Sequence, residues 1–315
     1  MSTNKKFVYN LEFPSWCKEI TISDYHFYRV EEYKEKVRNL QHLANSKAEF
    51  DLPANTGSHE ITAFVECPST EPKAILKWLN KDASSLQDIL FLLSIFTRRD
   101  VFIVEEDKNN LTSPHGPVIV SDPRSYYWGG ILRCSIPYEP QNIEPKPNKF
   151  DIGFEKGINQ IYNLIKSEDW QVKYKGGYFL FLVRAALRRQ ILESSFIQCW
   201  TIWEHLFSIL NQNWMSEAQI RKLDSVEKIS FILIEFALAQ EINKKSKNRI
   251  MDLASIRNRL IHFGKFPDRD NVLNDAEFFI RLTEFVIAKV LGLLPSNVFN
   301  TVEKLENFLF NQTNK

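Results

Sequence analysis

An arginine, an amide and a histidine stand close together in the segment Arg257-Asn258-Arg259-Leu260-Ile261-His262. These side-chain types can cleave a phosphodiester bond without a metal. A histidine takes or gives the proton of a ribose 2′-hydroxyl or of a leaving oxygen, and an arginine carries the charge that grows on the phosphorus. The alternative interpretation of the segment is a solvated helix end, where the helix dipole favours a histidine.

The spacing of apolar residues around this segment predicts a helix. At about 100° per residue the apolar positions share one stripe, and they are Leu253, Ile256, Leu260 and Phe263. Asn258 and His262 fall on the opposite side. Arg257 lies roughly 140° around the helix and about one and a half turns from His262. One straight helix therefore does not bring both side chains to one phosphate, whereas two facing copies could.

The arrangement resembles the Arg-x4-His motif of the HEPN superfamily, and within it the ApeA-like group. The resemblance covers roughly residues 150–315, and Gly264 ends the motif helix. It implies a helical domain that forms a homodimer and cleaves RNA without a metal or cofactor, leaving 2′,3′-cyclic phosphate and 5′-hydroxyl ends. Arg257, Asn258 and His262 would be the catalytic residues. Glu204 resembles the acidic residue that family members place on an earlier helix to orient the motif arginine.

The resemblance also implies a biological role as a toxin or antiviral defence effector that acts by abortive infection. The N-terminal half would hold the nuclease inactive until a regulatory protein or a ligand binds there. Three interpretations remain open at this stage: the endoribonuclease, a non-catalytic HEPN-like module that binds RNA or dimerises within a larger defence complex, and a helical scaffold whose N-terminal domain binds a ligand. Glu204 could equally be a buried partner of an arginine.

Charge is balanced over the whole chain but not around the motif. Forty Lys and Arg face 39 Asp and Glu in total, so no overall field attracts a polyanion. Between residues 243 and 269, eight basic residues face only Asp252 and Asp268. This patch is expected to hold an RNA backbone, through Lys244, Lys245, Lys247, Arg249 and Arg259. Arg184, Arg188 and Arg189 could extend it.

Composition and missing motifs exclude several other classes. The cysteines Cys17, Cys67, Cys134 and Cys199 lack metal-ligand spacing, which indicates reduced thiols in a cytoplasmic protein and no metal site. No apolar run reaches the ~20 residues of a membrane span. Phosphate-binding glycine loops, serine-esterase elbows and His-Glu-x2-His zinc motifs are absent from the sequence.

The chain is predicted to be an α+β protein of two domains. Residues 1–140 form a mixed α/β sensor or docking domain, residues 141–149 a proline-rich linker, and residues 150–315 an all-α HEPN-like bundle. The first domain has predicted strands at 60–65, 101–104, 117–120 and 131–136, and a helical pattern over 73–98 that is interrupted near 81–84. Predicted helices of the bundle span 154–165, 178–210 with a bend near 193–195, 226–239, 247–263, 276–293 and 298–310. Ser225 is the predicted N-cap of the helix that follows it.

Overall fold

The computed structural model describes residues 4–9, 11, 18–29, 61–78, 81–97, 101–103, 154–187, 191–236, 242, 244–268 and 271–293. The chain divides into two compact units, Met1–Val120 and Ser121–Lys315. The predicted linker, the strands at 117–120 and 131–136 and the helix at 298–310 lie outside the described residues. The exact position of the domain boundary therefore stays a prediction.

Among the described residues, the first unit has an antiparallel sheet of five strands and the second is mostly helical, which confirms the α+β class. The strands are β1 (Asn4–Tyr9), β2 (Glu19–Ile22), β3 (Tyr25–Arg29), β4 (Ile61–Cys67) and β5 (Phe102–Ile103). Their order across the sheet is β2-β3-β4-β1-β5. Alternate residues point to one buried face, where Val8, Phe27 and Val65 have no exposed surface.

One described helix, α1 (Ser85–Thr97), accompanies this sheet, and the Tyr25 hydroxyl lies 2.8 Å from the Ser85 hydroxyl. The helix predicted to begin at residue 73 was wrong over the described residues 73–78, whereas the interruption predicted near 81–84 is confirmed. The backbone N–H of Ile75 and the indole N–H of Trp78 donate to the buried carboxylate of Asp88, at 2.5 and 2.8 Å. The backbone N–H of Ile75 thus binds a side chain instead of a helix carbonyl, so the apolar spacing of the segment serves a packed loop.

The second unit consists, among its described residues, of eight helices. They are α2 (Phe154–Ile165), α3 (Glu168–Tyr174), α4 (Gly176–Leu187), α5 (Leu192–Asn211), α6 (Glu217–Lys222), α7 (Ser225–Glu235), α8 (Lys244–Phe263) and α9 (Val272–Val290). The helix predicted over 178–210 is two helices, since α4 ends at Leu187 and α5 begins at Leu192. The short helices α3 and α6 were not predicted. No helix in the described ranges is long and apolar enough to cross a bilayer.

Helix α5 carries the aromatic side chains at the centre of this unit. The Trp200 ring stacks on Phe279 of α9 with centroids 4.6 Å apart. Trp203 is 1% exposed, and its indole N–H donates to the Thr283 hydroxyl of α9 at 2.9 Å. Burial of one large apolar side chain contributes about 1.5–3 kcal/mol, and the paired indole N–H avoids a desolvation penalty. These contacts fix α5 against α9 and thereby fix Glu204, the residue after Trp203.

Candidate functional site

Helix α8 presents the Arg257 to His262 motif. Its inner stripe is formed by Leu253, Ile256 and Leu260, which are 2%, 1% and 5% exposed. The helix ends because Gly264 adopts a left-handed conformation with φ of 70°, and the Gly264 N–H donates to the Leu260 carbonyl at 2.8 Å. This end lies where the sequence predicted it.

Phe263 was wrongly assigned to the buried stripe. Its side chain is 69% exposed, and the buried aromatic residue is Phe266, whose ring lies 5.8 Å from that of Phe196. The left-handed Gly264 turns the chain before a further helical turn can form, so Phe266 returns to the core and Phe263 stays outside. The Arg259 guanidinium lies 5.5 Å from the Phe263 ring centroid.

Arg257 is half-buried and held by three side chains. Its Nε and Nη2 atoms donate to Asn258 Oδ1 at 3.2 and 2.9 Å, and Nη1 donates to Ser225 Oγ at 2.7 Å. The guanidinium carbon lies 4.7 Å from the Trp200 ring centroid, within cation–π range. A guanidinium has five N–H groups, so two of them make no hydrogen bond to the residues that the structure describes.

Glu204 reaches Arg257 through Ser225. Its Oε2 atom pairs with the Lys228 ammonium at 2.6 Å, and its Oε1 atom lies 3.5 Å from Ser225 Oγ. The Ser225 hydroxyl therefore accepts a hydrogen bond from Arg257 and donates one to Glu204. Burial lowers the pKa of Arg257, and the negative charge of Glu204 opposes that shift. With Lys228 neutralising Glu204, the group of three charges keeps a net charge of +1.

The start of α7 explains why the Ser225 hydroxyl is available. The N-cap is Asp224, whose carboxylate accepts from the Glu227 N–H at 2.8 Å while the Glu227 carboxylate accepts from the Asp224 N–H at 2.9 Å. The predicted cap at Ser225 was wrong by one residue. Because this reciprocal box satisfies the helix end, Ser225 becomes the first helical residue and its side chain points to Arg257.

His262 lies on another side of α8. Its side chain is exposed, and the ring makes no hydrogen bond to the described residues. Arg257 instead faces α5 and α7 through Trp200 and Ser225. Within one chain the structure thus brings Arg257, Asn258 and Glu204 together around Ser225 and leaves His262 apart from them, as the helical spacing predicts.

The basic residues around the motif fall into two groups. Lys244, Lys247 and Arg259 are exposed, and the first two share the side of α8 that carries His262. Arg249 lies on the inner side, with its guanidinium carbon 3.7 Å from the Phe278 ring centroid of α9. Arg184 is half-buried on α4. Outside the described part of the chain lie the side chain of Lys245 and the residues Arg188 and Arg189.

Three residues of the site were not predicted to take part in it: Trp200, Lys228, and Ser225, which was predicted only as a helix cap. A signal for Lys228 existed, since it precedes the buried Ile229 and lies one turn before Ile232, on the apolar side of α7. A lysine that is 8% exposed needs an anionic partner. Which carboxylate it would be could not be read from the sequence.

Comparisons of the chain with protein-family models, with curated proteins and with solved structures found no match. Among the described residues, no three His, Cys, Asp or Glu side chains are grouped closely enough to hold a metal ion. What the site does chemically has to follow from its own side chains. They provide a pre-positioned guanidinium with two donors that no described residue uses, a compensated carboxylate behind it, and an exposed imidazole on the same helix.

Proposed function

We propose that the helical unit is a HEPN-type endoribonuclease that cleaves RNA without a metal ion and acts as a toxin or antiviral defence effector. The observation that carries this proposal is the fixed position of Arg257 on Asn258 and Ser225, with two N–H groups left for a ligand. Two N–H groups of one guanidinium can donate to two oxygens of a phosphate. His262, on the same helix, is accessible to solvent and hence to substrate.

The reaction requires one base, one acid and stabilisation of charge. An imidazole removes the 2′-hydroxyl proton, the 2′-oxygen attacks the adjacent phosphorus, and a second imidazole protonates the departing 5′-oxygen. The products are a 2′,3′-cyclic phosphate and a 5′-hydroxyl. Arg257 carries the negative charge that develops on the phosphoryl oxygens. Asn258 and Glu204 position Arg257, the former directly and the latter through Ser225.

A second copy of the chain completes this site. Since His262 and Arg257 are separated by roughly 140° around α8, a twofold axis near His262 would place the two imidazoles together with arginines on both sides. The exposed side chains of Ile261 and Phe263, at 61% and 69%, flank His262 and supply apolar surface for such a contact. One protomer then provides the base and its partner the acid.

A non-catalytic RNA-binding or dimerisation module is the second candidate. It is favoured by the burial of Arg257 against Trp200, since an arginine enclosed in this way can serve packing alone. In that case His262 would be an ordinary exposed histidine. The two candidates differ in whether the purified protein cuts RNA at all.

Cleavage of a labelled single-stranded RNA in excess EDTA tests the proposal. We expect cutting with cyclic-phosphate ends, because Asp252 and Asp268 are the acids nearest the motif in sequence and do not have the spacing of a metal site. His262→Ala should lower the rate by a factor of about 10² or more and leave the melting temperature unchanged. Ser255→Ala, also exposed on α8, should cut at the parental rate. A folded His262→Ala protein that cuts normally, or activity restored only by Mg²⁺, would contradict the proposal.

A further inference from the structure

An exposed aromatic ring stands where α3 meets α4. The Tyr178 side chain is 58% exposed, and Phe181, one turn further along α4, is 38% exposed. Exposure of a single large apolar residue is common and by itself means little. Tyr178 differs because its ring packs edge-on against the imidazole of His205, with centroids 5.1 Å apart and planes at 71°. An exposed ring is thus held in one orientation.

His205 is itself held in place by a contact to the end of α3. Its Nε2 atom lies 3.3 Å from the Tyr174 carbonyl oxygen, so this nitrogen carries the proton and donates it to the last residue of α3. Burial lowers the pKa of His205, which favours the neutral imidazole. The junction beneath is tight, because a Cβ atom at Gly176 would lie 2.2 Å from the Trp170 ring. A ring supported in this way loses little conformational entropy when a ligand binds.

The stretch of sequence between Asp169 and Glu193, which contains Tyr178, carries only basic charges. From residue 170 to residue 192 the chain has no Asp or Glu, and its five charged residues are Lys173, Lys175, Arg184, Arg188 and Arg189. Lys173 and Lys175 are exposed at the end of α3. Lys175 adopts the left-handed conformation with φ of 46°. An exposed ring that follows two exposed lysines in the chain complements a polyanion whose units carry flat rings, which is the chemistry of unpaired nucleic acid.

Helix α5 connects this ring to the arginine site. His205 follows Glu204 directly, and Glu204 is joined to Arg257 through the Ser225 hydroxyl. On successive residues of one helix, about 100° apart, α5 therefore supports Arg257 on one flank and Tyr178 on the other. An RNA strand that crosses α5 would pass from the Arg257 guanidinium to the Tyr178 ring.

We propose that Tyr178 is a stacking platform for an unpaired base of the RNA strand whose phosphate lies at Arg257, and that the substrate is single-stranded there. This inference rests on the proposed function, because it takes RNA as the ligand of Arg257. Bases paired in a duplex have no free face to offer a protein ring, whereas a splayed base can stack on tyrosine. Stacking depends on ring area, so a purine should bind more tightly than a pyrimidine.

Fluorescence anisotropy with labelled oligoadenylate and oligouridylate of about 12 nucleotides tests this, in a His262→Ala background that prevents cleavage. Tyr178→Ala should weaken oligoadenylate binding about tenfold, the scale of one base–aromatic stack, and should reduce the preference over oligouridylate. Tyr178→Phe should bind like the parent, and Tyr178→Leu like Tyr178→Ala. Trp214→Ala is the matched control, since Trp214 is 68% exposed outside the basic segment; it should change nothing.

The outcomes separate this inference from the proposed function. If Tyr178→Ala weakens binding but the parental protein never cuts RNA, the stacking platform stands and the nuclease proposal fails. If the parental protein cuts RNA and Tyr178→Ala binds both oligonucleotides as tightly as the background protein, the platform is overturned and the nuclease stands. Equal loss in the Trp214→Ala control, or no binding of either oligonucleotide by the background protein, also overturns it.

Discussion

The Nη1 atom of Arg257 donates to the hydroxyl of Ser225 at 2.7 Å, and Ser225 is the first helical residue of α7. The same hydroxyl lies 3.5 Å from Glu204 Oε1. The Arg257 guanidinium is thus positioned by a hydroxyl at the start of α7 and not by a direct ion pair. A guanidinium held before the substrate arrives needs little reorganisation when charge develops on the phosphoryl group.

Ser225 and Asp224 should separate catalysis from stability. Ser225→Ala removes the hydroxyl between Arg257 and Glu204 but keeps the Asp224 cap, so we expect a rate loss of about tenfold or more, as for a lost hydrogen bond to a charged group, with little change in the free energy of unfolding. Asp224→Ala removes the cap and should cost about 1 kcal/mol of stability with the cleavage rate per folded molecule retained. Urea unfolding and initial cleavage rates measure both effects.

The reverse pattern would contradict this role of Ser225. If Ser225→Ala destabilised the protein as much as Asp224→Ala does while cutting at the parental rate, the Arg257 contact would be structural only. Ser225→Thr is a useful third variant, because it keeps the hydroxyl on a helix-compatible side chain. It should recover most of the activity.

The Glu204 and Lys228 side chains form an ion pair of unequal burial, with 40% and 10% of their surfaces exposed. Glu204→Gln leaves the buried ammonium without its anion, whereas Lys228→Met leaves a carboxylate that water still reaches. We therefore expect Glu204→Gln to cost more stability, about 1–3 kcal/mol, and Lys228→Met to cost less. The double variant should regain part of the loss.

Chemical unfolding of the four proteins of this double-mutant cycle measures the coupling. Strictly additive losses would show that the two side chains contribute independently and that their ion pair adds nothing to the stability of the fold. Lys228→Met has a second expected effect, since an uncompensated Glu204 reduces the net positive charge near Arg257. RNA affinity should fall in that variant even where the fold is intact.

Local periodicity was enough to predict most helices of the second unit. The bounds of α2 agree with the prediction at both ends, and α8 ends at Phe263 as predicted and begins three residues earlier, at Lys244. Apolar residues three and four apart report a buried helix face wherever the helix packs on one side. The same rule misplaced Phe263, because the stripe says nothing about where a left-handed glycine turns the chain.

Contacts between distant residues could not be predicted in this way. Ser225 and Arg257 are 32 residues apart and meet only because α7 and α8 pack on α5. The first strand pairs Asn4 with Cys67, so its short and weakly alternating sequence becomes a strand through a partner more than sixty residues away. Arg257, Asn258 and His262 could be proposed as site residues from their types and spacing, whereas the link that holds Arg257 required the packed structure.

Lys244 and Lys247 should contribute to the salt dependence of RNA binding, and Arg249 should not. The two lysines are exposed on the His262 side of α8, whereas the Arg249 guanidinium packs 3.7 Å from the Phe278 ring centroid. Changing both lysines to Gln should flatten the plot of log affinity against log salt by about 1.4, since each phosphate contact on a single strand contributes about 0.7. Arg249→Gln should instead lower the melting temperature and keep the slope.

Anisotropy titrations at several salt concentrations measure these slopes. An unchanged slope in the double-lysine variant would mean that the first turns of α8 are only solvated, and would direct attention to Arg184, Arg188 and Arg189. A flatter slope in Arg249→Gln without loss of stability would show that Arg249 leaves the Phe278 ring and binds a phosphate when RNA is present.

A homodimer through the end of α8 should be required for cleavage. Ile261 and Phe263 are 61% and 69% exposed beside His262, so replacing both with Asp should cost little monomer stability, about 0.5 kcal/mol or less. At a twofold axis each substitution occurs twice and places like charges opposite one another. We therefore expect sedimentation velocity to show a monomer. Its melting temperature should be near the parental value, and its cleavage activity should be lost.

Ile234→Asp, which alters a residue 48% exposed on α7, is the matched control and should remain a dimer that cuts RNA. A parental protein that sediments as a monomer while cutting at its full rate would rule out a shared site and would require Arg257 and His262 of one chain to reach the same phosphate.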